Sequence, residues 1–171
     1  MTDVAVYFQR FSCRRFAPGG VDEGKLAFVL EAARWAPSAG NLQPWRFLVV
    51  KSAHLRARLA QAAHRQDFVA SAPVVVVVCA VPGESARVYG ARGATLYCIQ
   101  DTAAAIENLL LAATEVGLAG CWVGAFDEGA VAEVLGLEPD LRPVALVPLG
   151  VPAEAAGTRS RRPLAEVVRE V

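Results

Sequence analysis

The stretch from Thr95 to Val116 has the length of a long helix, and its apolar residues surround that helix almost completely. Only a thin polar stripe interrupts them, because Asp101, Asn108 and Glu115 recur at seven-residue intervals. Gly117 follows as a natural helix end. Most of this helix must therefore be covered by protein. A single thin sheet supplies less cover than the helix needs, which favours a dimer interface.

Composition narrows the class of protein. The chain has 171 residues, of which 54% are hydrophobic, and this predicts one domain, residues 1–171, with a substantial core. Seventeen basic and seventeen acidic residues cancel, and without a polybasic block the sequence gives no electrostatic footprint for nucleic acid. The first residues lack the pattern of a signal peptide, and no stretch approaches a membrane span. We expect a cytoplasmic protein that binds neither nucleic acid nor membrane.

Periodicity predicts a mixture of helices and strands. Pro73 introduces a run of β-branched residues, V-V-V-V-V-C-A-V, which is typical of a central strand covered on both faces. Gly83 to Gly93 is polar and glycine-rich, which predicts a mobile surface loop or a short irregular helix, and either can serve as a lid. Asp22 is a good N-cap for a helix that Pro37 ends. Further predicted helices are Asp3 to Phe11, His54 to His64 and Glu128 to Leu135, and further strands are Trp45 to Val50, Cys121 to Val123 and Pro143 to Gly150.

The loop from Ala36 to Phe47 has an unusual composition, A-P-S-A-G-N-L-Q-P-W-R-F. Pro37 disfavours the α conformation at the residue before it, Gly40 permits unusual backbone angles, and Pro44 makes the preceding residue extended. The loop is therefore held in a defined shape. Its serine, asparagine and glutamine supply hydrogen-bonding groups, so it can read the flat polar edge of a ligand.

Familiar catalytic and metal-binding patterns are missing from the sequence. It contains no G-x-G-x-x-G after a first strand, no phosphate-binding P-loop and no G-x-S-x-G nucleophile elbow. His54 and His64 fall on a predicted surface helix, which favours solvent-facing histidines over a catalytic base. Asp101 and Glu107 are interpreted as polar-stripe residues and not as paired catalytic carboxylates. The four cysteines lack C-x-x-C spacing, which favours buried free thiols over a metal site. The chain offers little reactive chemistry of its own, which points to a cofactor.

Six segments occur in a specific order from one end of the chain to the other. They are R-F-S-C-R-R-F, A-P-S-A-G-N-L-Q-P-W-R-F, L-Y-C-I-Q-D-T-A-A-A-I-E-N-L-L-L-A-A, G-L-A-G-C-W-V-G-A-F, P-V-A-L-V-P-L-G-V-P and R-S-R-R-P-L. Together they resemble the FMN-dependent nitroreductase family. The resemblance implies an α+β fold, a three-layer sandwich with a central, mainly antiparallel sheet flanked by helices. It also implies an intertwined homodimer with FMN at the subunit interface, and a C-terminal tail, about 153–171, that docks on the partner subunit.

The resemblance implies a flavin phosphate site built from both ends of the chain. Arg10 suits the phosphate, a dianion best held by forked guanidinium donors, and Arg14 suits the pyrimidine end of the ring. Phe11 departs from the polar or basic residue common in the family, so only its backbone is expected as a contact. Of the tail arginines, Arg161 is preferred. The residues matched to this site are Arg10, Phe11, Ser12, Arg14, Arg159 and Arg161.

Other positions match family elements that lie near the flavin ring. The loop expected to reach the flavin from the other subunit contributes Pro37, Ser38, Ala39 and Asn41. Gln66 matches a glutamine that reaches the ring in some relatives. Val123 and Gly124 match the segment whose backbone approaches the ring near its reactive N5.

The first functional hypothesis is an FMN-dependent oxidoreductase. NAD(P)H gives hydride to FMN and leaves, and a nitroaromatic, quinone or similar acceptor then takes electrons in the same pocket, which is a ping-pong mechanism. The protein contributes binding, orientation and charge, so no side chain is named as a catalytic acid or base. The alternatives are a flavin-binding or storage protein without efficient turnover, a specialised relative such as a dehalogenase or dehydrogenase, and a structural dimer without cofactor. The short chain lacks a large substrate-binding insertion, which favours the plain reductase.

Overall fold

The computed structural model describes residues 5–171, so Asp3 and Val4 of the predicted first helix lie outside the described residues. The strands are β1 Trp45–Val50, β2 Val74–Ala80, β3 Ala119–Gly120 and β4 Arg142–Gly150. The helices are α1 Ala5–Gln9, α2 Glu23–Arg34, α3 Ala53–Ala62, α4 Asp67–Ser71, α5 Pro82–Arg92, α6 Cys98–Glu115, α7 Glu128–Leu135 and α8 Leu164–Val167.

The strands form a sheet in the order β1-β2-β4-β3, in which every neighbouring pair is antiparallel. All of β2 is buried between β1 and β4. Because side chains alternate along a strand, Val74, Val76 and Val78 join the core on one face, and Val75 and Val77 join the core on the other. The predicted central strand, covered on both faces, is confirmed.

Helices cover both faces of this sheet. On one face α2 packs against α6, and Leu26 and Ile106 are buried between these helices and the sheet. On the other face α3, α4 and α7 bury Leu59 and Val131. The three layers confirm the predicted α+β sandwich with an antiparallel sheet. None of the helices described here is long and apolar enough to cross a membrane.

Helix ends follow the predicted capping residues. Asp22 accepts a hydrogen bond from the N–H of Lys25 at 2.9 Å and so caps the start of α2. This helix ends before Pro37, as predicted. After α6, Gly117 adopts a left-handed conformation with φ of 73°, which lets the chain leave the helix without the steric cost of a side chain.

The predicted strand Cys121 to Val123 is wrong in position, since the regular pairing is made by β3, which ends just before it. Val123 makes an isolated antiparallel bridge with Leu146, in the register that β3 and β4 already share. Between the end of β3 and Val123, the N–H of Cys121 donates to the carbonyl of Pro148 at 3.2 Å. The ladder is interrupted there because proline has no N–H to return the bond.

Helix α6 differs from its prediction in two ways. Gly93–Tyr97 form a π-helical turn, so the α-helix starts at Cys98 and not at Thr95. Asp101 was assigned to the polar stripe, but it is buried, unlike Glu107 and Glu115 of that stripe, because the loop after α2 covers it. The sheet, α1 and α2 of the same chain supply most of the cover for α6. The apolar character of α6 therefore does not by itself require a second subunit.

The glycine-rich segment Gly83 to Gly93 lies mainly in α5, which is interrupted at Gly90 by φ of 57° and ψ of −143°. Of the two predicted alternatives, the short irregular helix is therefore confirmed. The ring of Tyr89 packs edge-on against that of Tyr97, with 5.1 Å between the ring centres. This contact joins α5 to the π-helical turn that follows it.

The end of the chain runs back along its beginning. Phe16 and Pro152 form an antiparallel bridge, and the N–H of Ala153 donates to the carbonyl of Arg15 at 2.9 Å. Every residue from 155 to 171 is exposed, including those of α8. Docking of the tail on a partner subunit stays a prediction.

Candidate functional site

The segment that follows α1 forms, together with the tail, an open cavity of about 320 Å³. Ser12 forms a parallel bridge with Gly120, and the N–H of Cys13 donates to the Gly120 carbonyl at 3.0 Å. The segment is thereby attached to the edge of the sheet. The cavity is lined by Arg10, Phe11, Ser12, Arg14, Gly157, Thr158, Arg159 and Arg161. Every residue that the sequence assigned to the phosphate site thus lies at this cavity.

Arg10 is fixed beside the cavity by α6. Its Nε lies 3.4 Å from a carboxylate oxygen of Glu107, and the two side chains are 23% and 48% exposed. The backbone N–H of Arg10 donates to the carbonyl of Val6 at 3.0 Å, which continues the hydrogen-bonding pattern of α1. Arg10 therefore enters the cavity from a position held by both its backbone and its side chain.

The two tail arginines have different contacts. Arg159 donates through both terminal nitrogens, to the carbonyls of Arg10 and Phe8, so it ties the tail to the end of α1. Arg161 donates to the carbonyl of its neighbour Ser160 at 2.8 Å. This bond uses one of the five N–H donors of a guanidinium. In this structure Arg161 therefore keeps more N–H donors free of contacts to carbonyls than Arg159 does, and the preference for Arg161 stays a prediction.

Arg14 connects the cavity with α4. Its guanidinium carbon lies 5.6 Å from the centre of the Phe68 ring, a distance at which a cation is attracted to an aromatic face. Its backbone N–H donates to Glu154 Oε1 at 2.6 Å. Phe68 follows Gln66 by two positions, so Arg14 lies between the phosphate-site residues and the region of Gln66.

Gln66, Val123 and Gly124 lie in one neighbourhood. The Nε2 of Gln66 donates to the carbonyls of Ala63 and Ala125, both at 3.0 Å, and so joins the start of α4 to the segment after β3. Val123 is buried and bridged to the sheet. Gly124 is exposed, and a Cβ added there would meet no atom within 4 Å. The backbone at Gly124 is therefore open to a ligand.

The loop from Pro37 to Asn41 lies apart from the cavity. Gly40 and Asn41 have φ of 57° and 55°, in the left-handed region that favours glycine. Ser38 Oγ accepts a hydrogen bond from the N–H of Gln43 at 3.0 Å, so this hydroxyl serves the shape of the loop. Asn41 is exposed. Within one chain the structure does not bring this loop together with the residues of the phosphate site.

The four cysteines and the two histidines differ in burial. All four cysteines are buried free thiols, as predicted, and burial raises the pKa of each, that of Cys79 to about 11. A thiol with a raised pKa is a poor nucleophile. His54 and His64 are exposed. Within residues 5–171, no group of histidine, cysteine and carboxylate side chains has a metal-binding arrangement.

Sequence reasoning missed the carboxylates that hold the site in place. Glu107 contacts Arg10, and Glu154 binds the backbone of Arg14. Glu154 carries no local signal, because its partner lies 140 positions earlier in the chain. The sequence around Asp101 did carry such a signal, since a carboxylate in an otherwise apolar helix needs a hydrogen-bonding partner. The protein is thus an α+β sandwich with an arginine-lined cavity where the two ends of the chain meet.

Comparison with known proteins identifies the family. Residues 7–66 and 63–151 match the sequence profile of the Nitroreductase family. An NADH dehydrogenase of Thermus thermophilus is 35% identical over 187 residues, covering 94% of this chain and 91% of that protein. The crystal structure of a nitroreductase family protein from Streptococcus pneumoniae has a TM-score of 0.88 and 27% identity, covering 97% of this chain and 98% of that one.

A further solved structure, the NADPH:FMN oxidoreductase from Vibrio harveyi complexed with NAD+, has a TM-score of 0.89 and 26% identity. The match covers 98% of this chain and 76% of that one. The chain described here therefore belongs to the nitroreductase family, as its sequence motifs predicted, and this places it among the oxidoreductases.

Proposed function

We propose that this protein is an FMN-dependent oxidoreductase that takes hydride from NAD(P)H and reduces nitroaromatic, quinone or similar acceptors. The observation that carries the proposal is the cavity in which Arg10, Ser12 and Arg14 of the first segment meet Arg159 and Arg161 of the tail. These segments are far apart in sequence, and their four guanidinium groups at one cavity create a positive potential that attracts an anion, although Glu107 offsets part of the charge of Arg10.

The donor set of this cavity fits a phosphate dianion. Arg10 and Arg161 would hold it with forked N–H donors, and the Ser12 hydroxyl adds a neutral donor. Arg159 would contribute mainly charge, because its terminal nitrogens already bind backbone carbonyls. The cavity thus supplies both the charge and the hydrogen bonds that a flavin phosphate requires.

The residues beyond the cavity fit the ring of the same cofactor. Arg14 places a cation next to the region of Gln66, which suits stabilisation of negative charge at the pyrimidine end of a flavin. Gly124 leaves its backbone open, and the buried Val123 beside it is fixed to the sheet. FMN, when bound, supplies the redox chemistry, passing reducing equivalents from NAD(P)H to the second substrate by a ping-pong mechanism. The protein would provide binding, orientation and charge, and we assign none of the described side chains as a catalytic acid or base.

The cofactor and donor are supported by one of the relatives. The Vibrio harveyi protein is described as an NADPH:FMN oxidoreductase and its structure contains NAD+. Its fold matches nearly the whole of the present chain. We extend FMN and a nicotinamide donor to this protein on that likeness together with the arginine-lined cavity.

A homodimer is part of the proposal. Large apolar side chains are exposed in the single chain: Tyr7 is 63%, Phe8 74% and Trp35 72% exposed. Such residues are usually covered in a native assembly. The Pro37–Asn41 loop lies apart from the cavity in its own chain, so a second subunit is the natural source of the loop for each site. We therefore place the cofactor between two subunits, with the tail reaching the partner.

A flavin titration and a turnover assay test the proposal together. Purified protein should bind FMN, and the loaded protein should consume NADH or NADPH steadily in the presence of a nitroaromatic compound or a quinone. A yellow protein that does not turn over would identify a flavin-storage protein instead. A colourless protein that ignores added FMN would overturn the cofactor assignment.

A further inference from the structure

Asp101 is the only buried charged residue in the described part of the chain, with 7% of its surface exposed. Its Oδ1 accepts a hydrogen bond from the backbone N–H of Ala39 at 3.0 Å. Its Oδ2 is buried and has no hydrogen-bond partner among the described residues. No lysine, arginine or histidine of this part of the chain forms an ion pair with it. A carboxylate is costly to bury in this way, and an apolar residue would fill the same place more cheaply.

The loop that Asp101 holds has an unfavourable backbone. Gly40, Asn41 and Gln43 all have φ between 52° and 57°, in the left-handed region. Glycine and asparagine adopt this region readily, whereas it is strained for Gln43. Hydrogen bonds inside the loop define its shape, including those from Asn41 N–H to the Ser38 carbonyl and from Gln43 N–H to Ser38 Oγ. They do not fix the loop relative to the rest of the protein.

Asp101 supplies that external attachment. Within the described residues, the bond to Ala39 is the hydrogen bond that joins the Pro37–Gln43 turn to α6. One turn further along α6, Ala105 packs with Ala36 and Trp45, which flank the same loop. The face of α6 under the loop therefore contacts it through one hydrogen bond, from Ala39 to Asp101, and through the apolar contacts of Ala105.

We propose that Asp101 is a positioning residue of the flavin site, whose buried carboxylate sets the place of the Pro37–Asn41 loop through the Ala39 N–H. The inference rests on the proposed function, because the loop is expected to contact the flavin. An incompletely satisfied buried charge thus contacts a loop that contains a strained residue, Gln43, and such features persist where function requires a defined geometry. Asp101 acts through the loop and does not itself touch the cofactor.

Two variants and a matched control test this role. Asp101→Ala removes the acceptor of the Ala39 N–H, whereas Asp101→Asn keeps an acceptor oxygen of nearly the same shape. Asn108→Ala is the control. Asn108 also lies on α6, and it donates a hydrogen bond of 3.1 Å to the carbonyl of Ala32, which is not part of the loop. Hydrogen exchange of the Ala39 amide reports the contact directly, and a fluorescence titration reports FMN affinity.

In Asp101→Ala we expect the Ala39 amide to exchange about tenfold faster and the Kd for FMN to rise about tenfold, the size expected for loss of one charged hydrogen bond. Asp101→Asn should restore most of both properties, and Asn108→Ala should lower stability without changing either. Should Asp101→Ala not fold, Asp101→Asn and Asp101→Ser, which differ in their reach toward Ala39, provide the same comparison.

The outcomes separate this inference from the proposed function. If wild-type protein does not bind FMN, the proposed function fails, while exchange at Ala39 still decides whether Asp101 holds the loop. If wild-type protein binds FMN and Asp101→Ala binds it equally well, or loses affinity with the Ala39 amide still protected, the positioning role is overturned. Equal losses in Asn108→Ala would also overturn it, since they would show general destabilisation.

Discussion

Glu154 accepts a hydrogen bond from the backbone N–H of Arg14 at 2.6 Å, joining residues that are 140 positions apart. The same oxygen accepts from the N–H of Arg15 at 3.1 Å, and the other oxygen accepts from Arg15 Nε at 3.2 Å. A carboxylate bound by consecutive backbone N–H groups fixes the direction of the chain that carries them. Glu154 therefore orients the arginine segment of the candidate flavin site.

This connection should depend on pH. The hydrogen bond from the Arg14 N–H, with those from Arg15, holds the pKa of Glu154 below its usual 4.5. A group with a lowered folded-state pKa contributes stability above its unfolded pKa and loses it as pH falls through the folded value. Glu154→Gln should therefore be less stable than wild type at neutral pH, by an amount that shrinks below about pH 4.5. Urea unfolding at several pH values measures this difference in the free energy of unfolding, and Glu166→Gln, in the exposed tail, is the control. A difference that is independent of pH would contradict the charged contact.

Arg161→Ala should weaken FMN binding by about tenfold, or about 1.4 kcal/mol. The figure lies at the low end for a charged hydrogen bond because Arg161 is exposed and its charge is screened by water. Arg162→Ala is the matched control, since Arg162 is the next residue and does not line the cavity. Fluorescence titration compares the three proteins. Wild-type affinity in Arg161→Ala would remove this residue from the site, and equal losses in both variants would point to a general effect of charge.

Truncation of the tail in two steps should separate dimer contacts from cofactor contacts. Ending the chain after Arg162 keeps the cavity arginines but removes the exposed apolar residues Leu164 and Val167, so the dimer should dissociate more readily. Ending it after Pro152 also removes Glu154 and both cavity arginines of the tail, so FMN should be lost as well. Sedimentation analysis and flavin absorbance measure both properties. A stable, flavin-loaded monomer after the longer truncation would refute the proposed dimer.

Two inactive variants should complement one another if each site is shared. Asn41→Ala damages the loop and Arg10→Ala damages the phosphate site, and both must first be shown by circular dichroism to fold. Mixing through denaturation and refolding makes about half of the dimers mixed, and each mixed dimer has one site with both defects and one with neither. Activity should recover to about one quarter of wild type. If a tagged chain shows that subunits exchange and activity does not recover, the shared-site arrangement is incorrect.

Asp101 should make the opposite contribution to pH dependence from that of Glu154. Burial raises the pKa of its carboxyl above the usual 3.8, and the Ala39 N–H opposes this only in part. A carboxyl with a raised folded-state pKa contributes most stability below its unfolded pKa and loses it as pH rises through the folded value. Cys98, on the same helix, is the titratable group that interacts with Asp101, and burial raises the pKa of that thiol as well. The free energy of unfolding of Asp101→Asn minus that of wild type should therefore increase from about pH 3 to neutral pH. A constant difference would show that Asp101 does not titrate in this range.

Local signals in the sequence determined much of the fold. The β-branched run that became β2 needed cover on both faces, and the caps at Asp22 and Gly117 follow from backbone chemistry within a few residues. The spaced arginines at Arg10, Arg14 and Arg161 also pointed to one anion site through their resemblance to a family. These features depend on residues near one another in the chain or on a pattern of residue types, which a sequence displays directly.

Tertiary structure decided how these parts meet. The apolar residues from Cys121 onward predict a strand, but Pro148 on β4 interrupts the pairing because it has no N–H. Which residue of β4 lies opposite Cys121 depends on the folded chain, so the local sequence does not show it. Asp101 is buried because the loop that contains Ala39, distant in sequence, packs over it and donates a hydrogen bond to its carboxylate. Glu154 reached Arg14 only after the chain had folded back on its own beginning. Burial and long-range hydrogen bonds arise from the path of the whole chain, so residue type and spacing alone do not reveal them.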